Sequence, residues 1–341
     1  MSQTPGIIST PPSAQPGPET EADEPSELQE ECEQREFAVD AALHGLRLDR
    51  ALAQLIPEFS RSYLQQLVEE GAVELQGRPV RKPSTAVQAG QRGRIELRPT
   101  PQSQAFRPEA MDLRVVHEDE HLAVIDKPAG LVVHPAPGHW SGTLLNGLLA
   151  RDARAAALPR AGIVHRLDRD TSGLMVVARS RQAMDALVRM IAAREVSRQY
   201  LAIGHRAWSG PAGRVVEGAI GRDPRNRLRM AVVDLAQHPG KPARTRFDLL
   251  DDAERGCLVR CTLDTGRTHQ IRVHMASIGH PLVGDETYGG APAGGLHRQA
   301  LHAFRLAFAH PMTGQALDLR SALPEDIAAA AVAWGLDYNR R

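Results

Sequence analysis

Aromatic residues make up 4% of this 341-residue chain, and cysteine occurs three times, at Cys32, Cys257 and Cys261. Three thiols are too few, and too odd in number, for a disulfide framework, which points to a reducing cytoplasmic setting. Cys257 and Cys261 lie four apart on one face of a strand. Zinc needs more ligands than these two, so buried thiols are expected. No apolar run approaches the roughly 18 residues of a membrane span, and no basic segment followed by an apolar core opens the chain. Neither a membrane partner nor a secretory leader is therefore expected. The phosphate-cradling patterns G-x-x-x-x-G-K-[ST] and G-x-G-x-x-G are missing, as is H-E-x-x-H. No serine or cysteine sits in an elbow of glycines, which leaves acyl transfer without a nucleophile.

What is present is charge, unevenly placed. The chain carries 41 basic and 41 acidic residues. Residues 1–36 hold nine of the acidic residues and a single basic one, Arg35, leaving a net of +8 for the remainder. That first segment is rich in Pro, Glu and Ser. It cannot bury enough apolar surface to offset its ordering entropy and reads as a disordered acidic tail. The basic remainder permits a polyanionic partner without requiring one.

Residues 37–97 read as a small domain. Leu48, Leu52 and Leu55 recur at helical spacing. Ser60 is placed to cap a second helix, whose apolar face is Tyr63, Leu64, Leu67 and Val68 and whose stop is Gly71. "AVELQGRPV" predicts two short strands around Gln76-Gly77. Arg47, Arg50, Arg61, Arg78, Arg81 and Lys82 are available for one RNA-binding surface, or are ordinary surface charge of a small α+β domain.

Residues 98–110, with three prolines and no periodicity, read as a linker. A larger domain spans 111–330, with 331–341 as a C-terminal tail. It alternates strands such as "LRVVHEDEHLAVIDK" with helices at 143–151 and from Ser180 through Arg194. Strands outnumber helices and their connections are short. The fold class expected is mixed α+β, with the larger domain built around a mainly antiparallel sheet.

Two dense polar clusters interrupt this domain. "GIVHRLDRDTSGLMVVAR", 162–179, sets His165, Arg166, Asp168, Arg169 and Asp170 between apolar stretches. "LDTGRTHQIRVHM", 263–275, adds Arg267, His269, Arg272 and His274. With metal and acyl-transfer patterns set aside, carboxylate chemistry supported by arginine remains. Alone, Asp168 reads equally as a turn aspartate bonding its own backbone. Asp170, Thr171 and Ser172 read as structural turn residues, and His165, His269 and His274 as structural hydrogen-bonders.

The order "DKPAGLVVHP" (126–135), "HRLDRDTSG" (165–173), "REVSRQYLA" (194–202), "TGRTHQIRVHM" (265–275) and "HPLVGDETYGG" (280–290) resembles the RluA family of RNA pseudouridine synthases, over roughly residues 46–330. The module at 46–97 is similar to the S4 RNA-binding domain, with Glu74-Leu75-Gln76 where Val-Asn usually sits. The pairing resembles the branch acting on large-subunit ribosomal RNA. The resemblance implies an isomerase that detaches uracil N1 from ribose C1′, turns the base and joins C5 to C1′, without metal or organic cofactor. It implies that Asp168 is catalytic, Tyr200 stacks on the base, Arg272 pairs with the catalytic carboxylate and Arg166 enters the stack the uridine leaves. Arg267 is a candidate phosphate contact. The implied partner is 23S rRNA in a large-subunit precursor, met by a monomer. An RNA-binding ribosome-assembly factor with an inactive synthase domain is the alternative. A hydrolase using the Asp168 and Asp170 pair has less support, because Arg169 lies between them and metal ligands are lacking.

Overall fold

The computed structural model describes residues 33–98, 103–136 and 139–337. Residues 1–32 of the expected acidic tail, and 338–341 of the expected C-terminal tail, lie outside them. The chain divides into two compact units, Met1–Thr100 and Pro101–Arg341.

In the first unit, β1 (Glu33–Ala38) is followed by α1 (Leu48–Leu55), α2 (Arg61–Glu70), β2 (Val73–Leu75), β3 (Arg78–Pro79) and β4 (Arg92–Leu97). The strands pair antiparallel in the order β1-β4-β2-β3. Ser60 caps α2 by accepting from the Tyr63 amide, and Gly71 ends it at φ +80°. Gln76 and Gly77 both take positive φ, as a tight two-residue hairpin turn requires. Leu48, Leu52, Leu64, Leu67 and Val68 close on Val73 and Ile95 to form the core. The tail was expected to run to residue 36. Instead Glu33–Glu36 pair with Arg94–Leu97 in β1, because alternating side chains there complete an edge that β4 would otherwise expose.

The second unit contains β5 (Val115–Glu118), β6 (Leu122–Lys127), α3 (Leu144–Arg151), β7 (Ser172–Ala178), α4 (Arg181–Ala192), β8 (Ser197–His205), β9 (Gly213–Glu217), β10 (Ile220–Arg222), β11 (Met230–Val232), β12 (Gly240–Lys241), β13 (Arg244–Ala253), β14 (Gly256–Leu263), α5 (Gln270–Ser277), β15 (Leu301–Ala309), β16 (Ala316–Arg320) and α6 (Glu325–Ala333). A nine-stranded sheet runs β5-β6-β7-β15-β8-β14-β13-β9, with β16 beside β15. Every pairing in it is antiparallel except β7 with β15. A small sheet of β10, β11 and β12 stands apart. Strand alternation sends Ile125, Met175, Val177 and Tyr200 to one face, against Leu144 and Leu148 of α3 and Ile271 and Met275 of α5. It sends Leu122, Val124, Leu174 and Val176 to the other, against Ala183 and Leu187 of α4. Cys257 and Cys261 are buried on β14, as expected, and burial pushes the Cys257 thiol up to about 12.

Three boundaries differ from expectation. Helix α4 stops at Ala192 rather than Arg194, because Arg194 turns left-handed at φ +65°. Ser103–Phe106, inside the expected linker, form a 3-10 turn, and the Asn146 amide donates to the carbonyls of Ala105 and Arg107. Helix α6 runs past residue 330 to Ala333, since Ala330, Ala331 and Leu336 belong to the core around Ile203.

Candidate active site

The first polar cluster lies on the approach to β7, and its backbone is tied down at successive carbonyls. The Asp168 carbonyl accepts from Thr171 N at 3.2 Å and the Asp170 carbonyl from Arg298 Nη1 at 3.0 Å. The Arg169 carbonyl accepts from Gly130 N at 2.9 Å and from Lys127 Nζ at 2.8 Å. Lys127 is wholly buried and also donates to the carbonyls of Pro128 and Leu131. Gly173 takes φ +113° where β7 meets β15, and a Cβ there would stand 2.3 Å from the Ala303 carbonyl oxygen. Only glycine fits the register that delivers this loop. His165 Nε2 accepts from Val176 N at 3.0 Å, so its proton sits on Nδ1. Burial, assisted by Arg198, lowers its pKa to about 3 and keeps the ring neutral.

The second cluster links β14 to α5. The buried Gln270 amide holds that loop with both ends. Its oxygen accepts from Thr265 Oγ1 and Arg267 N, and its nitrogen donates to the Arg244 carbonyl and Thr245 Oγ1. His269 sits at φ +56° and contacts Tyr288 OH through Nδ1 at 2.8 Å. Burial lowers its pKa. His274 contacts Thr245 Oγ1 at 2.8 Å, within the core.

The two clusters converge on one buried guanidinium. Arg272 Nη1 donates to Asp168 Oδ2 at 3.2 Å, across 104 positions of sequence. Its Nε and Nη2 donate to the two oxygens of Asp285 at 2.7 and 2.8 Å. Arg272 thus reaches Asp168, as the resemblance implies, while its bidentate fork faces Asp285. Burial weighs against the Arg272 charge, and the Asp285 and Asp168 carboxylates outweigh it and raise the pKa. The Tyr288 ring lies 5.0 Å from the guanidinium carbon, adding a cation–π contact. Asp168 keeps 17% of its side-chain surface exposed while Asp285 keeps 1%.

Asp168 opens onto a cleft of about 720 Å³, lined also by Arg166, Tyr200, Arg267, Arg272, Leu263 and Leu301. Tyr200 is buried in the middle of β8, and burial pushes its phenol up to about 12. Arg166 is exposed at the rim. Arg267 is half-buried, with Nε donating to the Pro242 carbonyl at 3.1 Å. Asp170 turns to Arg169 in a surface pair and does not line the cleft, which separates the two carboxylates a hydrolase would need. Among the described residues no cluster of three or more His, Cys, Asp or Glu side chains could hold a metal ion.

In the first unit, Arg50, Arg78, Arg81 and Lys82 are exposed. Arg47 and Arg61 are exposed as well, and each also makes an ion pair. They grip the buried Asp49 carboxylate at 3.0 and 2.5 Å.

The comparisons with known proteins fall on this geometry. The RNA pseudouridylate synthase family model matches residues 121–277, a span that holds Asp168, Tyr200 and Arg272, and the S4 domain model matches 46–92. The ribosomal large subunit pseudouridine synthase D of Nitrosomonas europaea is 47% identical over 304 residues, 86% of each chain. Its counterpart from Neisseria meningitidis serogroup A is 46% identical over 302 residues, 85% of this chain and 79% of that one. The chain belongs to the RNA pseudouridine synthase family. The solved structure of human RNA pseudouridylate synthase domain containing 1 is 27% identical, with a TM-score of 0.50 over 62% of this chain and 83% of that chain. As an RNA pseudouridine synthase, this chain is an isomerase acting on RNA, and its first unit includes an S4 domain.

Three residues of this synthase site escaped sequence reasoning. Asp285 and Tyr288 lie in a motif that carried the family resemblance, with nothing local to mark one as the anchor of Arg272. Lys127 stands at the end of an apolar strand, where a buried cation is unusual enough to have been the signal.

Proposed function

We propose that this synthase isomerises uridine in large-subunit ribosomal RNA, with Asp168 as its catalytic residue. The carrying observation is the Asp168 carboxylate, 3.2 Å from a buried guanidinium and open to the cleft that Tyr200 lines. A uridine inside a helix has no exposed glycosidic bond, so it must leave the stack at a cost of a few kcal/mol. Arg166 fills the gap it leaves, a role that suits a planar cation free at the cleft rim. Tyr200 supplies a face on which the detached uracil rotates without escaping, worth about 1–3 kcal/mol for a stacked base. Detachment begins at Asp168, whose carboxylate attacks C1′ and expels the uracil through N1, or takes the C2′ proton as the C1′–N1 bond breaks. After rotation C5 bonds to C1′ and gives up its proton. Either route needs the carboxylate's negative charge, which Arg272 complements. Arg267 meets RNA phosphate.

The relatives' names point to the large ribosomal subunit, and the exposed cations of the S4 module at 37–97 give the catalytic domain at 111–330 a second grip. The enzyme acts as a cytoplasmic monomer. The ribosomal large subunit in the relatives' names supports the cytoplasmic setting. The test is tritium release from transcripts containing [5-³H]uridine. Wild-type enzyme should free label from 23S rRNA, and Asp168→Asn should free none. Release from small-subunit rRNA alone overturns the assignment of the substrate.

A further inference from the structure

Arg198 is the one cleft arginine that is both buried and unpaired among the described residues. It is the second residue of β8 and 7% exposed, on the same face of the strand as Tyr200. Its Nε is buried with no hydrogen-bond partner. The carboxylates of the cleft are already engaged. Asp168 receives Arg272, and Asp264 receives Arg244 at 2.6 Å. The other side chains named at the cleft differ, with Arg166 exposed at the rim and Arg267 bonded to a carbonyl. Gly266 faces the Arg198 guanidinium so closely that a Cβ would stand 2.9 Å from Nη1. Gly266 has no positive φ, so the glycine there supplies room for the guanidinium and not a special turn.

A buried cation without a counter-charge is unfavourable unless a ligand completes it. A uracil carbonyl would satisfy one donor and leave the charge. A phosphodiester satisfies both, and the guanidinium fork matches its two free oxygens. We propose that Arg198 binds an RNA phosphodiester flanking the target uridine, and so anchors by its backbone the nucleotide whose base rests on Tyr200. Positions two apart in a strand are separated by about 6.6 Å, and a ribose spans the corresponding gap between a base and its phosphate. The proposal rests on the uridine-isomerase reading of this cleft and names the contact that would place the substrate in it.

The test is a cycle between protein and RNA, read as a dissociation constant so that it does not depend on turnover. A substrate stem-loop carries one uncharged methylphosphonate, 5′ or 3′ of the target uridine, with the adjacent 2′-hydroxyl O-methylated. Its control has the same O-methyl group and a normal linkage. Wild-type enzyme should bind one of the two neutral-linkage RNAs about tenfold or more weakly than its control, the effect of a lost charge-assisted bond. Arg198→Gln should bind both controls weakly and show no further loss at that linkage. Arg198→Lys should restore part of the linkage sensitivity, since it keeps the charge without the fork. Equal binding of wild type to neutral and charged linkages at both positions overturns the proposal, even if Arg198→Gln fails to fold. An undiminished linkage effect in Arg198→Gln overturns it too. Tritium release from the normal stem-loop, run in parallel, is what the isomerase reading stands or falls on. A wild type that releases label and is indifferent to both linkages leaves that reading intact and removes this one.

Discussion

Asp285→Asn removes one charge from a buried pair and keeps its shape. Arg272 gives Asp285 two bonds, at 2.7 and 2.8 Å, and gives Asp168 one, at 3.2 Å. Two unit charges 4 Å apart at an effective dielectric of 20 attract by about 4 kcal/mol. Removing one member of a buried pair costs about 3–5 kcal/mol, because the other is left uncompensated. Asp168 remains to share the charge here, which places the loss near the lower end, about 3 kcal/mol. The asparagine amide also turns a donor toward a guanidinium donor, so one of the two bonds has no replacement. With a urea slope of roughly 1–3 kcal/mol per molar, the unfolding midpoint of the second unit should fall by about 1 M or more. Asp168→Asn removes one bond from a carboxylate that is 17% exposed, and should cost about 1.5 kcal/mol, the low end for a bond between charged groups. The pair of variants should therefore separate. Asp285→Asn should be markedly less stable and keep measurable isomerisation, and Asp168→Asn should be closer to wild type in stability and inactive. Urea unfolding followed by circular dichroism, with tritium release on the same preparations, reads both. Equal midpoints for the two variants refute the reasoning, since they would mean that the fork on Asp285 does not anchor Arg272.

Asp170→Asn should retain most activity, because Asp170 pairs with Arg169 at the surface; greater loss there than in Asp168→Asn, measured as single-turnover rates, would identify the wrong aspartate. Arg272→Lys should keep a fraction of the activity and Arg272→Met almost none, checked by turnover of a minimal stem-loop, since lysine preserves charge but cannot serve two carboxylates with a planar fork. Burial lowers the Lys127 pKa from 10.5 to about 7. Between those values the unfolded chain binds the extra proton, so the cost of the buried charge is fully present below about pH 7 and is relieved as pH rises toward 10.5. Stability should accordingly climb across that window through this group, and Lys127→Met should lose that component of the slope in urea titrations at pH 7 to 10. Reversing Arg50, Arg78 and Lys82 to Glu should weaken RNA binding and flatten its dependence on salt, leaving the melting temperature nearly unchanged; an unaltered salt slope would show that this face is not an RNA surface.

Much of the framework was legible because local chemistry fixes it. Ser60 and Gly71 bracket α2 by capping, and Gln76-Gly77 makes a hairpin whatever lies beyond. Asp168 and Arg272 stood out because polar residues interrupt apolar strands, a placement that costs free energy unless it is used. What was not legible depended on distant partners. Strands β9 to β12 have little apolar alternation of their own, and β9 is recruited by β13 through register. Arg198 reads in sequence like any basic residue beginning a strand, and only the fold shows that both carboxylates lining the cleft are taken. The resemblance pairs Arg272 with Asp168, and which of two carboxylates takes its fork is a choice made by tertiary geometry, not by spacing.

That choice makes chemical sense. A carboxylate held by two parallel bonds has both oxygens directed at its partner, and burial then shuts it away from any substrate. Asp285 has that environment, and its part is to hold Arg272 in place. Asp168 receives a single bond to Oδ2. His269 Nε2 stands 3.9 Å from Oδ1, beyond hydrogen-bond range, and burial lowers the pKa of that ring. One oxygen is thus steadied by a fixed charge while the other stays free at the cleft, where a reacting atom can approach it. Had the fork faced Asp168, the residue proposed to act would have been shut away as Asp285 is. The division of one guanidinium between a buried anchor and a half-open carboxylate lets Arg272 supply charge at Asp168 without occupying it.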